Sequence, residues 1–121
     1  MPPKRILLIE DEATTRELLT HVLRGQGYLV DSADTAAAAS KYLESVRYAL
    51  IIADWLLPDG DGIELADRAA KLGGKTIVFS EHLFRLPAGA ADRHQLMMKP
   101  VRPQEMVATV RRTIGRGRKE A

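Results

Sequence analysis

The stretch ALIIADWLLPDG (residues 49–60) joins an apolar run to a carboxylate and then to a turn. Ala49 to Ala53 are all aliphatic, which is typical of a central strand that is covered on both faces. Asp54 ends this run, and Pro58-Asp59-Gly60 predicts a turn soon after it. A carboxylate beside a core needs a partner or a function, because burying an unpaired charge is costly. The stretch therefore predicts a buried strand that carries Asp54 at its carboxyl end.

Similar apolar runs recur along the chain and are separated by segments with helical periodicity. Strands and helices that alternate in this way form α/β folds, in which right-handed crossovers connect parallel strands. We therefore predict an α/β fold with a doubly wound, five-stranded parallel sheet and helices on both faces. The predicted strands are RILLI (5–9), YLV (28–30), YALIIA (48–53), TIVF (76–79) and LMM (96–98).

Apolar spacing and stop signals predict the helices between these strands. Leu18, Leu19, Val22 and Leu23 form a stripe that we expect to face the core. Pro103 predicts the start of the last helix, because its fixed φ angle suits the first turn. The predicted helices are one that stops at Gly25 and Gly27, AAAASKYLES (36–45) capped by Asp34 or Thr35, GIELADRAAKL (62–72), and one from Pro103 to about residue 114.

The interval EHLFRLPAGAADRHQ (81–95) departs from this regular pattern. Pro87 and Gly89 stand where a helix would have to continue, so at most Glu81 to Leu86 could be helical. We predict a short or irregular fourth helix followed by a long loop. His94 belongs to this polar segment, and we expect it to be exposed to solvent rather than to bind a metal.

Length and composition indicate one soluble domain. The chain has 121 residues, of which 45% are hydrophobic and 28% are charged. The absence of cysteine excludes disulfides, thiolate metal sites and a cysteine nucleophile. Ile6 to Ile9 form an apolar run too short for a signal peptide or a membrane span. We expect a cytoplasmic protein that does not enter a membrane, with a domain over 1–114 and a basic tail over 115–121.

The basic character of the chain comes from its last residues. The formal net charge is +2, of which RRTIGRGRKEA (111–121) contributes +4, which leaves −2 for residues 1–110. A basic segment interrupted by glycines is typical of a solvated helix end or a disordered extension. We therefore do not expect the domain to bind DNA.

Charged and polar residues follow four of the five predicted strands. Glu10-Asp11-Glu12, Asp54, Ser80 and Lys99 each stand at a carboxyl end, and in an open parallel sheet these ends meet at one edge. Carboxylates that lie this close repel one another unless a cation lies among them, and an all-oxygen site favours Mg²⁺. An aspartate beside Mg²⁺ can accept a phosphoryl group. Ser80 could donate a hydrogen bond to the phosphate, and Lys99 could neutralise its charge.

Each of these residues also has an ordinary structural explanation. Glu10 and Asp11 could cap the helix that starts near Ala13, since acids suit helix N-termini. Asp54 and Ser80 could simply end their strands, and Lys99 could extend over the surface to reach solvent. The occurrence of all of them at one predicted edge favours the functional interpretation.

Three motifs in the chain resemble the receiver domain of two-component response regulators, the CheY-like family. They are RILLIEDE (5–12), IIADWLLPDGDG (51–62) and MMKPVRPQEM (97–106), and the resemblance covers residues 4 to about 114. It implies a flavodoxin-like sheet with strand order 2-1-3-4-5. It also implies a signalling module rather than an enzyme.

The resemblance implies a role for each residue of the predicted site. Asp54 would accept a phosphoryl group from a sensor histidine kinase or a histidine phosphotransfer protein. Asp11, Asp54 and the backbone carbonyl of Leu56 would bind Mg²⁺ directly, and Glu10 would act through water. Ser80 would be the switch hydroxyl. Lys99 would bind the phosphate, and the Lys99-Pro100 bond would be cis.

The sequence also departs from the family pattern. Glu81 replaces a residue that is usually small, and Leu96 replaces an aromatic residue that moves inward on activation. Leu56 cannot orient an attacking water, so we expect a long-lived phosphorylated state. The irregular segment after Ser80 alters the face through which many receivers dimerise. A homodimer that forms through another face is therefore one possible assembly.

Three functional hypotheses follow from these observations. The first is a single-domain response regulator that accepts a phosphoryl group on Asp54 with Mg²⁺ and signals through protein–protein contacts. The second is a receiver-like interaction module that works without phosphorylation, which Glu81 and Leu96 favour. The third is the receiver part of a longer DNA-binding regulator.

Overall fold

The structure, a computed structural model, describes residues 3–118 of the chain. Within this range, the strands of one sheet alternate with helices, as the apolar runs predict. The strands are β1 (Arg5–Ile9), β2 (Leu29–Ala33), β3 (Leu50–Asp54), β4 (Lys75–Ser80) and β5 (Gln95–Met98). The helices are α1 (Ala13–Gly25), α2 (Ala36–Ser45), α3 (Gly62–Lys71), α4 (Ala90–Arg93) and α5 (Pro103–Ile114).

The sheet is parallel and has the strand order β2-β1-β3-β4-β5. This order confirms the predicted flavodoxin-like arrangement. The central strand is β3, and all its residues from Leu50 to Asp54 are buried. Ile9 pairs with Ala53, and Asp54 pairs with Phe79. Because of this register, the chain leaves β1, β3 and β4 at nearly the same level, at the carboxyl edge of the sheet.

Alternate residues of β3 supply two separate apolar layers. Ile51 and Ala53 belong to a buried cluster that includes side chains of α2 and α3. Leu50 and Ile52 belong to a second cluster on the other face, which Met106 of α5 joins. Since both faces are covered, a continuous apolar run rather than an alternating one fits this strand.

Helices α2 and α5 begin where the capping residue and the proline predict. The buried face of α1 differs from the prediction. Thr35 rather than Asp34 caps α2, because its hydroxyl oxygen accepts the N–H of Ala38 at 3.1 Å. The last helix begins at Pro103, as predicted. The prediction that Leu18 faces the core is wrong, since this side chain is 47% exposed. It lies beside the carboxyl edge of the sheet instead.

The fourth helix is short, as predicted, but its position differs from the prediction. Only Leu83–Arg85 form a helical turn within the predicted segment 81–86, and it is of the 3-10 type. The α-helix follows at Ala90–Arg93, in the part predicted to be a loop. Gly89 precedes it with a φ of 88°, a left-handed conformation that glycine adopts readily. This glycine therefore starts a new turn instead of ending the segment.

The described part of the basic tail packs against the domain. The N–H of Arg118 donates to the carbonyl of Gly27 at 3.0 Å, and the hydroxyl of Tyr28 donates to the carbonyl of Gly115 at 2.5 Å. Residues 115–118 thus contact the connection between α1 and β2, unlike the solvated or disordered extension that we predicted. Residues 119–121 of the predicted tail, and residues 1 and 2, lie outside the described range. No helix within residues 3–118 is both long enough and apolar enough to cross a membrane.

Candidate functional site

A pocket of about 750 Å³ opens at the carboxyl edge of the sheet. Its walls come from the β1–α1 connection, the ends of β3 and β4, and the connection between β5 and α5. Asp11, Asp54, Ser80 and Lys99 all line this pocket, as do Leu56 and Glu81. The register of the parallel strands thus brings the predicted site residues to one place.

Three carboxylates form the acidic part of the site. Oxygen atoms of Glu10, Asp11 and Asp54 all lie within 4.8 Å of one another. Glu10 is wholly buried and Asp54 is 8% exposed, whereas Asp11 is exposed to solvent. Oxygen ligands in this number suit Mg²⁺, which keeps several of its waters and takes only a few protein oxygens. Asp11 and Asp54 can therefore reach a cation on the solvent side of the cluster, with Glu10 behind them.

Lys99 connects two of these carboxylates. Its ammonium nitrogen lies 2.7 Å from Oε1 of Glu10 and 2.9 Å from Oδ2 of Asp54. It also lies 4.8 Å from the centre of the Phe79 ring, within the range of a cation–π contact. The side chain of Lys99 is only 16% exposed, so the interpretation as a lysine that reaches over the surface to solvent is wrong. The peptide bond that joins it to Pro100 is cis, as the resemblance implies.

The protonation equilibria of this cluster reflect its burial. Burial raises the pKa of Glu10 to about 7, although hydrogen bonds from Lys99 and from the Glu12 N–H act in the opposite direction. Burial also raises the pKa of Asp54, and the bond from Lys99 again opposes it. Burial by itself would lower the pKa of Lys99, but its bonds to Glu10 and Asp54 outweigh this and raise it. One ammonium therefore does not fully offset the carboxylates, and the residues present fit a divalent cation.

The connection between β1 and α1 is held by residues other than the predicted metal ligands. Glu12 caps α1 by accepting the N–H groups of Thr15 at 2.8 Å and Thr14 at 3.0 Å. The hydroxyl of Thr15 and these N–H groups lower the pKa of Glu12 to about 2. The alternative that Glu10 and Asp11 cap this helix is therefore wrong.

Arg16 holds the same connection from the first turns of α1, a role that sequence reasoning missed. Its guanidinium donates to the backbone carbonyls of Glu10 at 3.0 Å and Asp11 at 3.3 Å. The available signal was its spacing, since a residue four positions after the cap Glu12 can reach back over the helix start. Arg16 thus fixes the backbone that carries two of the three carboxylates.

Ser80 is buried beside Asp54 and keeps its hydroxyl proton available. Its oxygen accepts the N–H of His82 at 3.0 Å, which leaves the hydroxyl hydrogen able to donate. Glu81 is exposed where it lines the pocket beside Ser80. An anion that enters the pocket therefore passes close to the Glu81 carboxylate.

The segment after Asp54 is fixed by close backbone contacts. Leu56 pairs with Asp61 in a short antiparallel bridge, and the Leu56 side chain is 57% exposed at the pocket. A Cβ atom on Gly62 would lie 1.8 Å from the carbonyl oxygen of Asp54, so only glycine fits there. Asp59 accepts the N–H groups at the start of α2. The turn after Asp54 is thus fixed to the start of α2 through Asp59 and to the start of α3 through Gly62.

His94 lies away from this pocket and contradicts the prediction that it is exposed. The residue is 4% exposed, and its ring lies between β4 and α3. Nδ1 is 2.6 Å from the hydroxyl of Thr76, and Nε2 is 2.6 Å from Oδ1 of Asp67. Arg93 donates to the same carboxylate at 2.9 Å. The end of α4 is therefore fixed to α3, a long-range contact that local sequence patterns do not reveal.

The fold and the acidic pocket define the class of protein, and comparison with known families identifies it. The chain belongs to the response regulator receiver domain family, whose model matches residues 6–111. Receiver domains are parts of two-component signalling systems, so the predicted resemblance is confirmed.

Two curated relatives illustrate the range of proteins that share this domain. The chain is 32% identical over 120 residues to the DNA-binding response regulator MtrA of Mycolicibacterium paratuberculosis. This match covers 93% of the chain but 52% of MtrA, so the chain spans about half the length of that relative. It is also 41% identical over 69 residues to the response regulator receiver protein CpdR of Brucella abortus, covering 57% of the chain and 58% of CpdR.

Solved structures agree with the fold. A CheY-like receiver domain protein from Methanospirillum hungatei matches with a TM-score of 0.82 at 26% identity, over 93% of this chain and 94% of the other. The response regulator TrrA of Thermotoga maritima, in complex with Mg²⁺-BeF, matches with a TM-score of 0.78 at 30% identity. That match covers 91% of this chain and 98% of TrrA.

Proposed function

We propose that this chain is a response regulator receiver in which Asp54 accepts a phosphoryl group. The observation that carries the proposal is the position of Asp54, whose carboxylate accepts a bond from Lys99 at 2.9 Å and lies within 4.8 Å of oxygen atoms of Glu10 and Asp11. The donor would be a sensor histidine kinase or a histidine phosphotransfer protein in the cytoplasm. The signal would pass on through protein–protein contacts.

The residues of the pocket account for the transfer step. A carboxylate oxygen of Asp54 attacks the phosphorus atom while the phosphorus–nitrogen bond of a phosphohistidine donor breaks, and the donor imidazole leaves. Lys99 is close enough to move from the carboxylate to the incoming phosphoryl oxygens. Ser80 donates its free hydroxyl hydrogen to another of these oxygens. Transfer of this kind depends mainly on positioning and charge neutralisation.

Asp11, Asp54 and the Leu56 carbonyl are the proposed Mg²⁺ ligands, with Glu10 acting through water. When bound, Mg²⁺ would supply the positive charge that a transferring phosphoryl group requires. The proposal draws support from TrrA, which was solved with Mg²⁺-BeF. It also draws support from the raised pKa values of Glu10 and Asp54, which burial causes and a bound cation would lower.

The experiment is phosphorylation of the purified chain by a small phosphodonor with Mg²⁺, followed by intact mass. We expect one phosphoryl adduct, which Asp54→Asn abolishes and which chelation of the metal prevents. Asp59→Asn is the matched control, because Asp59 is an exposed carboxylate five residues away and should not carry the adduct.

Two outcomes would contradict the proposal. One is an adduct that persists in Asp54→Asn. The other is the absence of an adduct with the small donor and with phosphorylated kinase or phosphotransfer proteins, which would favour the phosphorylation-independent interaction module instead.

A further inference from the structure

Basic side chains gather at the amino edge of the sheet, at the opposite end of the molecule from the pocket. We call this surface the basic edge. Its members come from the residue before β1, the last turns of α1 and α5, and the segment after α5. They are Lys4, Arg24, Arg111, Arg116 and Arg118, of which the four arginines are exposed and Lys4 is half-buried.

The fold-back of residues 115–118 brings the last two arginines to this surface. Besides the hydrogen bond from Arg118 to Gly27, the approach of the two chain segments is very close. A Cβ atom on Gly117 would lie 2.2 Å from the carbonyl oxygen of Gln26, and one on Gly27 would lie 2.1 Å from the carbonyl oxygen of Arg118. The two glycines therefore permit a contact that fixes Arg116 and Arg118 beside α1.

Within residues 3–118, three cations of the basic edge donate to uncharged acceptors rather than to carboxylates. Arg24 donates to the carbonyl of Val30 at 2.7 Å, and Arg111 donates to the side-chain oxygen of Gln26 at 3.0 Å. Lys4 donates to the carbonyl of Ile114. All these acceptors are uncharged, and within residues 3–118 no carboxylate lies within 4.0 Å of the cationic groups of the five members.

Helix dipoles explain only part of this arrangement. Basic residues in a last helical turn interact favourably with the C-terminal end of the dipole, which suits Arg24 and Arg111. Lys4 also contacts the C-terminal end of α5 through the Ile114 carbonyl, whereas Arg116 and Arg118 lie outside the helices. A free energy gain within α1 and α5 therefore does not account for the whole cluster.

We propose that the basic edge binds the phosphate backbone of duplex nucleic acid without reading its sequence. Neutralisation of phosphates releases condensed counterions, so a few fixed cations are sufficient for affinity to a duplex. A protein partner would instead require buried aromatic or aliphatic anchors. The aromatic residue of this region, Tyr28, is 3% exposed and thus unable to stack on a base. The exposed apolar side chain beside Lys4 is Leu29, which is 40% exposed, so cations outnumber apolar anchors at this surface and favour contact with a phosphate backbone.

The basic edge and the pocket are far enough apart to be occupied together. Lys4 and Glu10 flank the five residues of β1 and are six residue steps apart, which corresponds to about 20 Å at the rise of a strand. Nucleic acid at the basic edge would therefore leave Asp54 open to its phosphodonor. The inference does not depend on the proposed phosphorylation, and either can fail alone.

The test measures binding of the full chain to a fluorescent mixed-sequence DNA duplex by anisotropy over a series of salt concentrations. The logarithm of the binding constant should fall linearly with the logarithm of salt, with a slope of about −3 to −5 for four or five contacts. The variant Arg116→Gln/Arg118→Gln should flatten this slope by about 1.8 and weaken binding at low salt by at least about tenfold. Lys41→Gln/Arg85→Gln removes two exposed charges elsewhere and should change binding by less than about twofold.

A second variant separates the placement of the arginines from their charge. Gly117→Ala keeps every charge but forces residues 115–118 away from Gln26, so it should also weaken binding. Thermal unfolding of each variant checks that the domain is intact.

Several results would overturn the proposal. They are the absence of duplex binding by the unmodified chain, equal effects of the two charge pairs, and a salt slope near zero. Tighter binding to phosphatidylserine vesicles or to polyglutamate than to the duplex would overturn it as well, since the basic edge would then serve a membrane or an acidic protein.

Discussion

The ammonium group of Lys99 bridges Glu10 and Asp54, at 2.7 Å from one carboxylate and 2.9 Å from the other. This single cation comes from the end of β5, while the carboxylates come from the ends of β1 and β3. The bridge therefore links the ends of β1 and β5 to the end of the central strand β3, at the place where the phosphoryl group is proposed to bind. It also holds Lys99 ready beside Asp54 before any donor arrives.

Removal of this bridge should destabilise the fold in a way that Mg²⁺ relieves. Lys99→Met leaves two largely buried carboxylates without their cation, so we expect the free energy of unfolding at neutral pH to fall by about 1–3 kcal/mol. Added Mg²⁺ should recover part of this loss, since it brings positive charge back to the same oxygens. Urea denaturation with and without Mg²⁺ measures both effects. Lys41→Met, at an exposed site, should change stability by less than about 0.5 kcal/mol.

Glu81 should slow the arrival of anionic donors at the pocket. Its carboxylate is exposed beside Ser80, so repulsion there is real but screened by solvent and salt. We expect Glu81→Ala to accelerate labelling by a small phosphodonor by about two- to fivefold at low salt, and by less at high salt. Glu44→Ala, which removes an exposed acid from α2, should leave the rate unchanged. An equal acceleration in both variants would show a general charge effect rather than one at the pocket.

Leu56 should prolong the lifetime of the phosphorylated state. The side chain is 57% exposed at the pocket and is apolar, so it offers no hydrogen bond to orient an attacking water. Leu56→Asn adds such a group and should shorten the half-life of the phosphorylated protein several-fold. The matched control is Leu18→Asn, because Leu18 is 47% exposed at the same pocket. Rapid loss of the phosphoryl group from the unmodified chain, within seconds, would contradict this prediction.

The contact of Asp67 with α4 should contribute stability that acid removes. Burial by itself would raise the pKa of Asp67, but hydrogen bonds from Arg93 and His94 outweigh it and lower the pKa. Because the pKa is lower in the folded state, this stability is complete above the unfolded value of about 3.9 and is lost as the pH falls through the folded value. Asp67→Asn should therefore unfold more easily than the unmodified chain at pH 7, and the difference should shrink below about pH 4. Urea midpoints measured from pH 7 to pH 3 provide the comparison.

Thr20 should be a site where an apolar residue stabilises the protein. It is 8% exposed, and its hydroxyl oxygen has no hydrogen-bond partner among residues 3–118. Thr20→Val replaces this hydroxyl with a methyl group of similar size and should raise the free energy of unfolding by about 1 kcal/mol. Thr109 is equally buried, but its hydroxyl accepts a bond from Arg112, so Thr109→Val should lower stability instead. A loss of stability in both variants would show that the Thr20 hydroxyl is satisfied.

Much of the fold and of the pocket could be predicted because both depend on local patterns. The strands are marked by continuous apolar runs, and a parallel sheet necessarily brings their carboxyl ends together. The proximity of Asp54 to Lys99 followed from this rule without any knowledge of side-chain geometry. Their roles in phosphoryl transfer remain a proposal.

The features that the sequence did not predict depend on contacts between residues far apart along the chain. His94 is buried because Thr76 and Asp67 come to its two ring nitrogens from distant parts of the chain. Residues 115–118 pack against the domain because Gly27 and Gly117 allow their backbones to approach. Among three consecutive acids, the choice of Glu12 as the helix cap depended on the direction in which the chain leaves β1. Spacing along the sequence contains none of this information.

The acidic pocket and the basic edge place groups of opposite charge at the two ends of the strands, an arrangement that contributes an electric dipole along them. Anionic groups collect where the strands end, and cationic groups collect near where they begin, about 20 Å away. In the field of a charged partner, such a molecule experiences a torque before any contact forms, so it approaches with one end already turned toward that partner. The topology of a parallel sheet thereby sets not only where the chemistry occurs but also the orientation in which the protein meets other molecules in solution.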